Sequence, residues 1–147
     1  MLELLSRETK AHMNKFYVLV GSNINPEANI KAGLSKIHAH PDINIIKKSS
    51  HYESEPYGME GNNFINLVIL MESANDFSEV EEALKHIELQ CGRVRDPNNK
   101  FTSRTLDLDI IDWNGFEGEI NEKQFPDPEI KKRTFVAIPY FELKNQS

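Results

Sequence analysis

The sequence predicts an α+β fold: a ferredoxin-like β-α-β-β-α-β core with a mostly antiparallel sheet and helices packed on it. Three observations carry this. Apolar periodicity alternates between strand-like and helix-like along the 147 residues. The order of those segments is strand, helix, strand, strand, helix, strand. The two middle strands are joined by a polar loop rather than by a helix, and that loop is long enough to line a site.

Each element follows from its residues. Phe16-Tyr17-Val18-Leu19-Val20 is a short β-rich run closed by Gly21-Ser22-Asn23, which reads as a buried strand. Asn25 then offers an N-cap and Pro26 a first helical position. Ile30, Leu34 and Ile37 form the stripe of that helix, and Pro41 stops it. Ile43 to Tyr52 is a second strand, and Phe64 to Met71 a third, with Pro56, Gly58 and Gly61 in the loop between. Ser78 and Glu81 have the spacing of a capping box. Val80, Leu84, Ile87 and Cys91 continue along one helical face until Gly92 ends it. Thr105 to Trp113 is a fourth strand, closed by the turn pair Asn114-Gly115.

Length and composition narrow the function. One compact domain is expected over residues 15–147, with residues 1–14 an N-terminal extension. The lone cysteine, Cys91, cannot pair within the chain, which points to a reducing cytoplasm. No apolar run approaches the roughly 20 residues of a membrane span, and the N-terminus lacks the apolar core of a secretory signal. The formal charge of -6 argues against nucleic acid as a partner. Against that background, Lys85 to Arg104 holds five bases and two acids. Such a basic island fits a small anionic ligand, and equally a solvated loop.

The chemistry concentrates in Arg104-Thr105-Leu106-Asp107-Leu108-Asp109-Ile110. On a strand Asp107 and Asp109 share one face, while Leu106, Leu108 and Ile110 take the other. Two adjacent carboxylates repel each other unless a cation intervenes, and Mg²⁺ is commonly held by one or two carboxylates plus substrate phosphates. The plain alternative is an exposed strand face with two acids. Arg93 and Arg95 follow the second helix, and guanidinium groups clamp phosphate bidentately. With Arg104 and the two aspartates they outline a nucleoside-triphosphate site without a Walker motif. Asn66 interrupts the apolar run FINLVILM and shares a face with Phe64, Val68 and Leu70. Its amide suits either the edge of a heterocycle or a satisfied place in the core. His38 and His40 have no metal partners at a recognisable spacing, and Trp113 is expected to pack at the strand end.

From Tyr17 to about Tyr140 the chain resembles the 6-hydroxymethyl-7,8-dihydropterin pyrophosphokinase (HPPK) family. The matching pieces are VGSN at 20–23, YESEPYG at 52–58, FIN at 64–66, IELQCGRVR at 87–95, RTLDLDI at 104–110, and the spacing Pro126, Arg133, Phe135. The resemblance implies transfer of pyrophosphate from ATP to the pterin hydroxymethyl group, releasing AMP, in folate biosynthesis. It implies Asp107 and Asp109 as ligands of two Mg²⁺ ions bridging the ATP phosphates. Arg93, Arg95, Arg104 and Arg133 resemble the phosphate-binding and loop-closing arginines, with Arg93 and Arg104 the catalytic pair. Lys85, Glu88 and Ile110 fall at nucleotide-site positions, Ile110 against adenine. Phe64 and Phe135 resemble the aromatic pair around the pterin, with Asn66 on its edge and Ser54, Pro56 and Tyr57 contributed by the preceding loop. Residues 96–103 resemble a loop that closes over both substrates. No obligate protein partner is implied.

The chain departs from the family at several positions. Pro126-Asp127-Pro128 has an acid where a phosphate-facing histidine is familiar, Lys85 stands for a usual glutamine, and Glu55 for a usual proline. If Asp127 faces the nucleotide, Lys85 is expected to return a positive charge to the same site. The departures bear on ATP affinity and on the acceptor, and the alternative function is a divergent paralogue that binds ATP or a pterin-like heterocycle with little turnover or with a different acceptor.

Overall fold

The computed structural model describes residues 12–56, 62–92 and 106–146. In chain order the elements are β1 (Asn14–Ser22), α1 (Pro26–Ala39), β2 (Ile43–Lys48), β3 (Tyr52–Ser54), β4 (Phe64–Ser73), α2 (Phe77–Gln90), β5 (Asp107–Trp113), β6 (Gly118–Ile120), β7 (Lys123–Phe125), α3 (Glu129–Lys132) and α4 (Thr134–Lys144). The fold is mixed α and β with an antiparallel main sheet in the order β2-β4-β1-β5, and β3 adds to β4. The small hairpin β6-β7 stands apart from that sheet.

Alternation divides the sheet into two faces. Phe16, Val18 and Val20 of β1, Leu67, Ile69 and Met71 of β4, and Leu108 and Ile110 of β5 point to one side, where α1 and α2 cover them. The helices reach this face with Ile30 and Ile37 from α1 and with Val80, Leu84 and Ile87 from α2. Gly33 lets α1 close on Leu106: a Cβ there would lie 2.6 Å from a Leu106 methyl carbon. That contact seats the residue immediately before β5. On the other side Tyr17, Val68 and Ile111 pack against Ile130, Val136, Tyr140 and Leu143 from α3 and α4.

A β-bulge makes the second face possible. Val18 pairs with Ile110 but Tyr17 pairs with Asp112, so Ile111 is the extra residue. Past it, Asp112 shares Tyr17's side and Trp113 returns to the α1–α2 core, stacking on Phe16 with ring centres 5.0 Å apart. Asp112 is buried and accepts from the Tyr140 hydroxyl at 2.5 Å and from Lys144 Nζ at 3.3 Å. Burial and that bond push the Tyr140 phenol above its ordinary range.

Several local expectations need correction. Asn25 precedes α1 in the left-handed region, with no side-chain cap; Asn29 instead donates to the Ile24 carbonyl. The α2 capping box is Asp76 with Glu79, two residues upstream of the Ser78–Glu81 pair, because Phe77 already lies in the helix and on its buried face. The strand expected over 43–52 is broken: Ile46 bulges out of the β2–β4 ladder, and Ser49 accepts from the Val68 amide with its hydroxyl. Gly92 has a φ of 85, as a helix-ending glycine requires. Cys91 sits at the margin of the core, where burial pushes its thiol up.

Candidate functional site

Antiparallel register places the singled-out residues in one row. Tyr52 pairs with Asn66, Asn66 with Gly21, and Gly21 with Asp107. Asn66 and Asp107 are thus two strand spacings apart, about 10 Å, with Gly21 between. Gly21 is needed for its size. A Cβ there would stand 3.2 Å from Asn66 Oδ1 and 3.7 Å from Phe64 Cδ1, filling the space the row leaves open.

Asn66 is 3% exposed, and its orientation is fixed by its partners. Its Nδ2 donates to Ser54 Oγ at 2.7 Å and to the Tyr52 carbonyl at 3.3 Å. A carbonyl only accepts, so the amide nitrogen must face β3 and the oxygen must face Gly21. Both donors are used. The side chain therefore offers a ligand an acceptor, not the donor–acceptor pair read from its type alone. Ser54 connects this row to a cleft of about 390 Å³ lined by Glu53, Pro56, Thr134, Phe135 and Ile138. Glu142 of α4 fastens the cleft's strand from behind, accepting from the Tyr52 hydroxyl at 2.5 Å and from the Ser50 amide at 2.8 Å. These bonds hold the Glu142 carboxyl below its ordinary range.

At the other end of the row, Asp107 and Asp109 are half-buried on the face opposite Leu106, Leu108 and Ile110. Burial, followed by the charge of Asp107, pushes Asp109 up to about 7, with Lys123 pulling the other way. Burial and a second carboxylate both disfavour the charged form of Asp109, and a cation beside it would favour that form. Among the described residues no group of three or more His, Cys, Asp or Glu side chains could hold a metal ion. Two oxygen-donor carboxylates in this state do fit a hard cation whose remaining ligands are phosphate oxygens and water.

β5 lies at the sheet edge, and its outer side is met by three groups. Glu88, 1% exposed, accepts from the Leu108 amide at 2.7 Å. Lys123 Nζ donates to the Ile110 carbonyl at 2.8 Å, and the Asp127 amide to the Ile111 carbonyl at 2.8 Å. Glu88 and Ile110 thus meet at the strand that carries the aspartates. Arg133 joins α3 to α4 and pairs with Glu129 at 2.8 Å. Lys85 lies on the exposed side of α2, 3.7 Å from Glu81.

The compensation expected between Lys85 and Asp127 is replaced by a different pair. Asp127 Oδ1 accepts from the Glu129 amide at 2.9 Å, and Oδ2 faces Lys123 at 3.5 Å. The cation beside Asp127 therefore comes from β7. Lys123 and Gly21 are among the candidate-site residues to which the sequence reading gives no role. An isolated lysine in a polar stretch carries no signal, whereas Gly21 closes a strand run and lies in the VGSN match with no role of its own. Arg93, Arg95, Arg104, Tyr57 and the loop 96–103 lie outside the described residues.

Fold and site together define a class: a small α+β protein whose acidic edge strand suits a cation-bridged polyphosphate, with a row of groups beside it suited to a heterocycle. A family profile described as 7,8-dihydro-6-hydroxymethylpterin-pyrophosphokinase (HPPK) matches residues 17–145, and the chain belongs to that family. It is 31% identical over 135 residues to 2-amino-4-hydroxy-6-hydroxymethyldihydropteridine pyrophosphokinase of Bacillus subtilis, covering 90% of this chain and 80% of the relative. It is 33% identical over 130 residues to the protein of the same name from Haemophilus influenzae, covering 86% and 79%. It is also 31% identical over 133 residues to the bifunctional protein FolKE of Lactococcus lactis, covering 89% of this chain and 38% of that one.

Proposed function

We propose that the protein transfers pyrophosphate from ATP to the hydroxymethyl oxygen of 6-hydroxymethyl-7,8-dihydropterin, releasing AMP, as a step of folate biosynthesis. The observation that carries this reading is the row itself. An acceptor-bearing asparagine and a pair of adjacent carboxylates stand about 10 Å apart, with a glycine opening the space between them. That spacing suits a flat heterocycle held by its edge at one end and a polyphosphate at the other.

In this reading Asp107 and Asp109 hold Mg²⁺, which when bound neutralises the triphosphate and withdraws charge from the β-phosphorus. Glu88 fixes the backbone of β5 so that both carboxylates keep one orientation. Asn66 Oδ1 accepts from a pterin N–H, Phe64 and Phe135 contribute ring faces, and Ser54, Pro56 and Tyr57 complete the pocket from the preceding loop. Arg93, Arg95, Arg104 and Arg133 supply positive charge to the phosphates. The acceptor oxygen then attacks the β-phosphorus as the bridge to the α-phosphate breaks, and positioning with electrostatics provides most of the acceleration.

We also read the order β2-β4-β1-β5 as the ferredoxin-like arrangement, residues 1–14 as an extension to one domain, and the cytoplasm as its compartment. No helix among the described residues is long and apolar enough to cross a membrane. The test is AMP release from ATP and Mg²⁺ with and without the reduced pterin alcohol, in wild type and in Asp107→Ala and Asp109→Ala. Pterin-dependent AMP release is expected, with each alanine lowering it about a hundred-fold or more. Absence of pterin-dependent release, or full activity in both variants, would reject the reading.

A further inference from the structure

Lys123 is a cation with an unusually well-defined setting. It opens β7, and its ammonium is held by the Ile110 carbonyl at 2.8 Å and by Asp127 Oδ2 at 3.5 Å. The Phe125 ring centre lies 5.5 Å from Nζ, which limits where the stem can swing. A lysine ammonium has three N–H donors; the Ile110 carbonyl takes one, and Asp127 is an ion-pair partner. Its side chain is 36% exposed, so a remaining donor can reach a ligand. The partner carboxylate is committed elsewhere: Asp127 is 15% exposed at its side chain, and its other oxygen caps the Glu129 amide.

We infer that Lys123 is a nucleotide-phosphate-binding residue of this protein, presented beside the acidic strand by the Ile110 carbonyl and held there by Asp127 as its counter-ion. The inference rests on the nucleotide reading of the Asp107–Asp109 site and adds a residue to it. It also accounts for the acid at position 127. The negative charge there does not face the triphosphate alone; it fixes a lysine whose remaining donors do. A charge-assisted bond from a partly exposed ammonium to phosphate corresponds to about a ten-fold change in affinity, the lower end of the usual range.

The experiment is calorimetric titration of Mg²⁺ with α,β-methylene-ATP, and separately of 6-hydroxymethylpterin, into the whole chain. The variants are Lys123→Met, Lys123→Arg, Asp127→Asn and the double Lys123→Met with Asp127→Asn. Lys123→Met is expected to weaken the nucleotide analogue about ten-fold and leave the pterin unchanged, while Lys123→Arg restores most of the loss. Asp127→Asn keeps the cap on the Glu129 amide but frees the ammonium, so it should tighten the analogue only where Lys123 is present. Unchanged analogue affinity in Lys123→Met overturns the inference. So does equal loss of both ligands without rescue by arginine, which would make Lys123 a brace between β7 and β5. An equal gain from Asp127→Asn in both backgrounds also overturns it, because Asp127 would then act alone. Asp107→Ala and Asp109→Ala are run alongside. If they too leave the analogue's affinity intact, the nucleotide reading fails and the role of Lys123 fails with it.

Discussion

Removing the charge of Asp109 should make the metal-free protein more stable at neutral and alkaline pH, and the gain can be worked from the site. In the folded chain this carboxyl is raised from 3.8 to about 7, chiefly by burial and then by the charge of Asp107. A proton held more tightly by the folded state gives stability that is fully present below the unfolded pKa. It is lost as pH rises through the folded one. The window is therefore about pH 4 to 7. About three units at 1.36 kcal/mol each set a ceiling near 4 kcal/mol, and the partly exposed side chain brings this to about 2–4 kcal/mol. Urea unfolding in the presence of a chelator, repeated across that window, should show wild type losing stability with rising pH relative to Asp109→Asn. The difference between the two proteins isolates this one group from every other titration. Adding Mg²⁺ at the alkaline end should restore stability to wild type and much less to the variant. Parallel pH profiles for the two proteins would refute the reasoning, since the paired carboxylates would then be no burden to the fold.

Asn66→Ala should weaken 6-hydroxymethylpterin about ten- to a hundred-fold and leave Mg²⁺-dependent nucleotide binding close to wild type, as read by fluorescence titration and calorimetry. Gly21→Ala should do the same without removing any polar atom, because Asn66 is held from behind by Ser54 and Tyr52 and cannot retreat from the new methyl group; wild-type pterin affinity in this variant would show that the row is not the ligand's place. Glu142→Ala should raise the KM for the pterin several-fold with little effect on that for ATP, since it frees β3 from α4; equal changes in both constants would point to general loosening instead.

Much of this was legible because the signals were periodic. The alternation of Leu106, Leu108 and Ile110 with Asp107 and Asp109 fixes which atoms share a face before any coordinates exist, and the fold keeps that division. The helix stripes through Ile30 and Val80 were equally readable. Other features had no such signal. The α2 cap moved because Asp76 and Ser78 both precede an acid by three residues, and only the burial of Phe77 decides between them. The β6–β7 hairpin turns through Asn121-Glu122, both at positive φ, where a glutamate in place of glycine hid the turn. Pro139 lies inside α4 and masked a helix whose place depends on Val136, Tyr140 and Leu143 packing on β1, β4 and β5. The orientation of Asn66 and the partner of Asp127 were out of reach for a different reason: each depends on residues far along the chain, and composition does not encode cross-strand register.

The extra residue at Ile111 has a consequence for how relatives of this chain are compared. Upstream of it, Asp107 and Asp109 lie on Tyr17's side of the sheet; downstream the phase inverts, so Asp112 joins that side and Trp113 leaves it. Three aspartates consequently line one surface of a single short strand in two different settings. Asp112 accepts from the tyrosine hydroxyl and the lysine ammonium of the last helix. Asp109 instead stands beside the carboxylate of Asp107, which together with burial raises it. An alignment that slides a gap across position 111 would exchange the carboxylate bonded to the last helix for one of the adjacent pair without altering its score for acidity. Counting acids in this strand is therefore uninformative, and their phase relative to the bulge is the property to compare.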